Sequence, residues 1–211
     1  MSALKTALLL AGPSGGGKTT VMNELLKSNT DFELVRSATT RERRGDGNDG
    51  EYIYLSRNEF LLRCENGEML EFTEYGGNLY GTPYSEIERI SGSGKTPILI
   101  LDLSGVKTLR TRILDFGIYA VYVYAEPKTL AARLAARYSE EGGEKSMRYM
   151  TRMENNLRDY AAADEWCPLF DTAVESLDID KTKSAVLSAF QKEKNPPSAK
   201  LFVKMAEDFE F

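Results

Sequence analysis

A chain of 211 residues is long enough for one domain with appendages and a full core, and 42% hydrophobic with 28% charged content is the composition of an ordinary soluble globular protein. The formal net charge of −5 argues against a broad nucleic-acid-binding face, although an acidic protein can still carry a local basic pocket. Histidine is absent, which removes His-dependent triads, histidine general bases and His-containing zinc sites in one step.

The first apolar run, Ala7-Leu8-Leu9-Leu10-Ala11, has the length of a buried strand. It leads straight into a glycine loop, so it reads as a core strand and not as a signal segment. The loop, Gly12-Pro13-Ser14-Gly15-Gly16-Gly17-Lys18-Thr19-Thr20, fits G-x-x-x-x-G-K-[ST] at every fixed position. Gly12, Gly15, Gly16 and Gly17 let the backbone fold into a nest of inward N–H groups, and Ser14, Thr19 and Thr20 add hydroxyls. Nucleotide phosphates suit that nest and the N-terminus of the helix that follows, Lys18 adds a compact positive charge, and the Thr19 hydroxyl suits magnesium. Val21, Met22, Leu25 and Leu26 then recur at helical spacing, so the order is strand, loop, helix.

Residues 28–36 carry Phe32, Leu34 and Val35 and predict a strand. Ser37-Ala38-Thr39-Thr40 precedes Arg41-Glu42-Arg43-Arg44, where three arginines fall within four residues, followed by a glycine-rich stretch over 45–50. A solvated charge run is the ordinary reading of such a cluster. The small-polar, glycine-rich setting favours a second anion site, because the guanidinium fork pairs bidentately with phosphate. Residues 51–55 alternate as a strand, Ser56 caps a helix over 57–66 with Phe60, Leu61 and Leu62 inward, and 69–72 reads as another strand. Tyrosines and glycines make 75–83 a turn region, 85–90 a short helix and 91–94 a loose linker.

Pro97-Ile98-Leu99-Ile100-Leu101-Asp102 reads as a buried parallel strand that ends in an acid. A helix over 106–114, a strand over 118–124 and a helix opened by Pro127 follow. Arg133 and Arg137 on that helix, a polar glycine-containing tip over 139–146, and Arg148, Arg152 and Arg158 on the next helix (147–163) form a pair of helices with the look of a lid. For each of these arginines a solvated surface charge is an equal alternative. A short strand over 172–174 and a helix over 181–192 close the alternation, and a tail beyond Asn195-Pro196-Pro197 places Leu201, Phe202, Met205 and Phe209 at helical spacing to dock on the core. Cys64 and Cys167 follow no metal or disulfide spacing and read as thiols of a reducing compartment. No apolar stretch is long enough for a bilayer, so the expectation is a cytoplasmic protein without membrane or nucleic-acid partners.

The alternation predicts an α/β fold with a parallel sheet flanked by helices. Over roughly residues 5–192 the chain resembles the guanylate kinase family. The phosphate loop is shared with many nucleotide-binding proteins. The specific marks are Ser37-Ala38-Thr39-Thr40-Arg41 through Arg44, Glu51-Tyr52, Glu71, and Gly77-Asn78-Leu79-Tyr80-Gly81-Thr82, in that order and at nearly the family's spacing. The resemblance implies a P-loop core over 1–36, 97–132 and 159–195, a small mixed-β GMP-binding insert over 37–96, a helical lid over 133–158, and a tail over 196–211. It implies phosphoryl transfer from MgATP to GMP or dGMP by a monomer or homodimer. Arg41, Arg44, Tyr52 and Tyr80 would hold the GMP phosphate, while Ser37, Glu71, Thr82 and Asp102 would face guanine. Lys18 and Thr19 would serve ATP and magnesium, with Asp102 a further metal candidate, and Arg137 and Arg148 would close from the lid. The chain departs from the family pattern in three places. The segment between Arg44 and Tyr52 is about one residue shorter, Ile100 stands where a second acid often precedes Asp102, and the lid register is offset by about one residue, so that Arg152 competes with Arg148. Two other functions remain open: a kinase for another phosphorylated acceptor, and a non-catalytic scaffold, against which stands the intact Lys18-Thr19 pair.

Overall fold

The computed structural model describes residues 6–43, 50, 52–112, 115–191 and 194–209. The chain divides into two compact units, Met1–Leu9 with Leu26–Ile118, and Leu10–Leu25 with Tyr119–Phe211. The division runs through the first strand, β1 (Ala7–Ala11), every residue of which is buried.

In the first unit, residues 7–9 of β1 belong to the strand order β2-β7-β1, where β2 is Phe32–Leu34 and β7 is Thr96–Ile100, with β2 and β7 parallel. A second sheet has the order β4-β3-β6-β5, from β3 (Ser37–Thr39), β4 (Tyr52–Tyr54), β5 (Met69–Tyr75) and β6 (Asn78–Pro83). The helix α2 (Arg57–Glu65) starts where the sequence predicts, with Ser56 Oγ accepting from the Glu59 N–H at 3.2 Å. Of its three expected core residues, only Phe60 is buried. Leu61 and Leu62 are 39% and 56% exposed. One face of a short helix reaches the small core of Ala38, Phe60, Met69 and Leu79, and successive residues 100° apart cannot share it.

The region expected as a turn, 75–83, is mostly strand. Only Gly76 and Gly77, with φ of 58° and 76°, make the turn, and Tyr75 pairs with Asn78 across it. A two-residue hairpin turn of that hand needs positive φ at both positions, which two glycines supply without strain. The next helix, α3 (Tyr84–Gly92), runs into the expected linker over 91–94, and Asp102, expected to end the preceding strand, lies beyond β7 and caps α4 (Leu103–Arg110), its Oδ1 accepting from the Gly105 N–H at 2.7 Å.

In the second unit, residues 10–11 of β1 join β8 (Ile118–Tyr124) and β9 (Thr172–Glu175) in the order β1-β8-β9, β8 and β9 being parallel. Helix α1 (Lys18–Ser28) follows the glycine loop. Helix α5 (Pro127–Arg137) opens on Pro127, two short 3₁₀ turns form the tip, and α6 (Met147–Ala161) returns. The short α7 (Ala163–Trp166), α8 (Ile179–Phe190) and the tail helix α9 (Ala199–Ala206) complete the unit. Its core is aromatic. The Tyr122 and Trp166 rings stack at 4.0 Å, and Phe202 of α9, fully buried, meets Tyr122, Tyr124, Tyr160 and Trp166. The tail therefore docks, through Phe202 and Phe209, while Leu201, expected on the same face, is 40% exposed. Both cysteines are free thiols, and burial pushes Cys167 up to about 11. Among the described residues no helix is long and apolar enough to cross a membrane.

The first unit also holds a cluster of three charges, in which the long-range contact of Arg36 with Glu86 has no sequence signature. Glu86 on α3 is 3% exposed and accepts from Arg36 at 2.8 and 3.0 Å and from Arg89 at 3.0 Å. Burial alone would raise its carboxyl, but hydrogen bonds from the two arginines hold it down at about 2. A depressed folded-state pKa contributes stability above the unfolded value, near 4.5, and that stability is lost as pH falls toward 2. The Glu86→Gln variant is therefore expected to unfold about 1–3 kcal/mol more easily in urea at pH 7, and the difference should shrink at pH 3. An equal difference at both pH values would contradict this account.

Candidate active site

The candidate site residues fall into two groups, one in each unit. The group in the second unit is the glycine loop. Its first glycine is dictated by packing: at Gly12, with φ 141°, an added Cβ would lie 2.1 Å from the Val123 carbonyl oxygen on β8. At Gly17, with φ 89°, it would lie 2.7 Å from Ser176 Oγ. The loop thus lies flat against its neighbours, and its turn is closed by the Gly16 N–H donating to Pro13 O at 3.1 Å. The first turn of α1 carries no acidic side chain, so its N–H groups and the positive end of the helix dipole stay available to an anion.

Lys18 Nζ donates to Gly12 O and Pro13 O, each at 2.8 Å. Burial pulls its ammonium from 10.5 down to about 8, Arg137 and Arg152 push in the same direction, and Asp159 opposes them. A lysine destabilised by burial and by neighbouring cations is one that an arriving polyanion would stabilise. Thr19 and Thr20 are exposed.

Three side chains fasten this loop from outside. Arg133 on α5 donates to Gly15 O at 3.1 Å, to Ser176 Oγ at 3.0 Å and to Ser176 O at 2.9 Å. Asn156 on α6 accepts from the Ser14 N–H at 2.8 Å and donates back to Ser14 O at 2.9 Å. Arg152 reaches Ser14 Oγ at 3.4 Å. Sequence reasoning gave no task to Arg133 and did not single out Asn156 or Ser176. A neutral amide in a helix belongs to no motif, and no spacing relates it to a loop 142 residues away. Of the two competing lid arginines, Arg152 is the one beside the loop, while Arg148 is exposed and pairs with Glu141 at 3.0 Å. Arg137 is exposed, and its charge acts on Lys18.

The group in the first unit lies on the mixed sheet. Thr39 Oγ1 donates to Leu79 O at 3.0 Å and Thr40 Oγ1 accepts from the Leu79 N–H at 2.9 Å, fixing the backbone from which Arg41 departs. The Arg41 guanidinium lies 5.2 Å over the Tyr52 ring and donates to Tyr54 Oη at 3.4 Å. Tyr80 packs edge-on to Tyr52 at 6.4 Å. Tyr54 is thus a further member that the sequence reading left out. Arg44 lies outside the described residues.

Glu71 and Thr82 face each other across β5 and β6, with Thr82 Oγ1 donating to Glu71 Oε1 at 2.7 Å. Glu71 is 7% exposed, and burial raises its carboxyl pKa, with Thr82 opposing and the Asp102 charge adding to the rise. Gly105 leaves room beside this pair: a Cβ there would sit 3.4 Å from both Glu71 Oε2 and Asp102 Oδ1. Ser37, half-buried, begins β3 opposite Tyr52. Among the described residues no group of three or more His, Cys, Asp or Glu side chains is placed to hold a metal.

A family model described as guanylate kinase matches residues 4–193. A guanylate kinase of Thermotoga maritima is 32% identical over 187 residues, covering 88% of this chain and 86% of the relative. One from Enterococcus faecalis is 34% identical over 178 residues, covering 80% and 85%. The crystal structure of guanylate kinase from Anaplasma phagocytophilum aligns with a TM-score of 0.62 at 24% identity, over 90% of this chain and 86% of that one, a likeness of fold.

A raised folded-state pKa at Glu71 means that ionising it destabilises the fold. The penalty is absent below the unfolded value near 4.5 and complete once pH has risen past the folded one. The Glu71→Gln variant keeps an acceptor for Thr82 and should melt at a higher temperature than the parent at pH 8, with the gain vanishing toward pH 4.5. A parent that is the more stable of the two at pH 8 would refute the burial penalty.

Proposed function

The chain belongs to the guanylate kinase family, and from that premise we propose how its own residues move the γ-phosphoryl group of ATP to GMP, giving ADP and GDP. The buried Glu71 carboxylate beside Thr82 is the observation that carries the choice of acceptor. Guanine presents two adjacent donors, N1–H and the 2-amino group, and one carboxylate accepts both. Adenine turns an acceptor toward the same place and lacks the amino group, which leaves a buried charge unpaired. Sites built on such buried polar pairs reject the wrong partner by up to about 10⁴–10⁵. Ser37 and Asp102 complete the base contacts, and we assign Asp102 to guanine before metal because its charge already acts on Glu71. Arg41, with Arg44, Tyr52 and Tyr80, takes the phosphate of GMP. The flanking rings hold the guanidinium plane in place, which suits a bidentate pair.

On the other nucleotide, the nest from Gly12 to Gly17, the first turn of α1 and Lys18 bind the β- and γ-phosphates, with Ser14 and Thr20 beside them. Lys18 exchanges the Gly12 and Pro13 carbonyls for phosphate oxygens. Thr19, exposed on the first turn of α1, fits as the hydroxyl ligand of a magnesium ion carried in by ATP. That ion, when bound, supplies charge neutralisation at the phosphate oxygens. Phosphoryl transfer asks for little covalent help beyond in-line placement and neutralised equatorial oxygens. Arg137 and Arg152 contribute to the second requirement. Arg148 joins them by giving up Glu141 when the tip between α5 and α6 closes and excludes water.

Two substitutions test the reading. Lys18→Ala should lower turnover by about 10²-fold or more while the melting temperature stays close to that of the parent. Glu71→Ala should raise the KM for GMP by about 10²-fold and leave the KM for ATP within about threefold. Near-parental turnover in the first variant, or equal losses for both substrates in the second, would sink the respective assignment.

A further inference from the structure

We propose that Asn156 is a positioning residue for the triphosphate, acting through the peptide groups of Ser14; the proposal rests on the kinase reading above and adds a residue to it. The carboxamide is 1% exposed and is used on both edges: Oδ1 accepts from the Ser14 N–H at 2.8 Å and Nδ2 donates to Ser14 O at 2.9 Å. Two antiparallel hydrogen bonds to one residue fix its orientation as a strand pairing would. Ser14 stands in the middle of the anion-binding nest, where peptide orientation decides whether an N–H or a C=O faces the ligand. A carbonyl committed to Asn156 is not free to turn toward a phosphate oxygen, where it would be repelled. The nest is thereby set before the anion arrives, and preorganisation of this kind removes an ordering cost from binding.

The clamp works only if α6 is itself immobile at that point, and its buried face supplies this. One turn on, Tyr160 Oη donates to Ala125 O at 2.7 Å, and its ring packs against Phe202 and Phe209 of the tail at 5.4 and 5.5 Å. One turn back, Met153 lies in a cluster with Leu134 and Tyr149. The tail is tied down in turn by Lys194 Nζ on Asp171 Oδ1 at 2.7 Å and by the Asn195 N–H on Asp171 O at 2.8 Å. The half of α6 that carries Asn156 and Arg152 is therefore part of the core. N-terminal to it, Arg148 and most of the glycine tip are exposed, which leaves that end of the helix pair the part free to move in the closure proposed above.

A buried asparagine that served the fold alone would lower stability without choosing between substrates. The test is the substrate split. Steady-state kinetics with ATP and GMP are measured on the full chain for Asn156→Ala and for Asn156→Leu, which keeps the buried volume while removing both hydrogen bonds. Each variant is expected to raise the KM for ATP about tenfold with the KM for GMP within about twofold, and to reduce the ATP-induced rise in melting temperature with the GMP-induced rise intact. Equal losses for both nucleotides, unchanged ATP parameters, or failure of both variants to fold would assign Asn156 to the fold and overturn the proposal. The parent enzyme keeps the two readings separate. A parent that binds ATP but does not phosphorylate GMP defeats the kinase reading, whereas an active parent with unsplit variants defeats only the role of Asn156.

Discussion

The glycine loop holds only part of its shape by its own bonds, the Gly16 N–H on Pro13 O and Lys18 Nζ on Gly12 O and Pro13 O. Glycine is the residue with most conformational freedom to lose, and a nest of inward N–H groups has no internal ladder to fasten it. The structure answers with outside contacts. The Val123 carbonyl presses on Gly12 so closely that no side chain fits, Arg133 ties Gly15 to Ser176, and Asn156 grips Ser14. Each contact comes from a different element, β8, α5 and α6, so the loop's geometry reports on how well that unit is packed. The aromatic core around Tyr122, Trp166 and Phe202 acts on the loop through these elements, since Tyr122 lies on β8 next to Val123 and Tyr160 on α6 one turn beyond Asn156.

The other group of site residues is organised by the opposite kind of constraint. Glu71 is an unfavourably buried carboxylate with one oxygen occupied by Thr82 and with Asp102 as a like-charged neighbour. Natural sites often carry such local destabilisation where a ligand relieves it. Glu86, in the same unit, shows what a buried carboxylate looks like when the protein itself provides the partners: two arginines hold its pKa down where burial raises that of Glu71. The contrast separates a carboxylate whose charge two arginines stabilise from one whose charge burial opposes, and it is the ground on which Glu71 is proposed as a ligand contact.

Much of this was legible in the sequence because the signals were local. The strand, glycine loop and helix from Ala7 to Ser28 announce themselves by an apolar run, fixed glycine and lysine positions and a 3.6-residue period, and the Ser56 cap and Pro127 start fall where expected. The hairpin of β5 and β6 was hidden because its strand contains Gly81 among polar and aromatic residues, and glycine there reads as a turn. In the fold it is required by packing, since a Cβ would lie 2.8 Å from Glu71 O. Leu61 and Leu62 misled because apolar residues at consecutive positions cannot all face one small core. The long-range fasteners were illegible for a different reason. Arg36 meets Glu86 across 50 residues and Ser14 meets Asn156 across 142, and no pattern within either segment encodes the partner.

The central claim is that Glu71 selects guanine for a phosphoryl group delivered by the glycine loop. It is tested most directly by following ADP formation from MgATP with GMP, AMP, UMP, CMP and dTMP offered separately. Turnover with GMP, at least about 10³-fold above the other four in kcat/KM, is the predicted result. Comparable turnover with AMP, or none with GMP while ATP still binds, would contradict it.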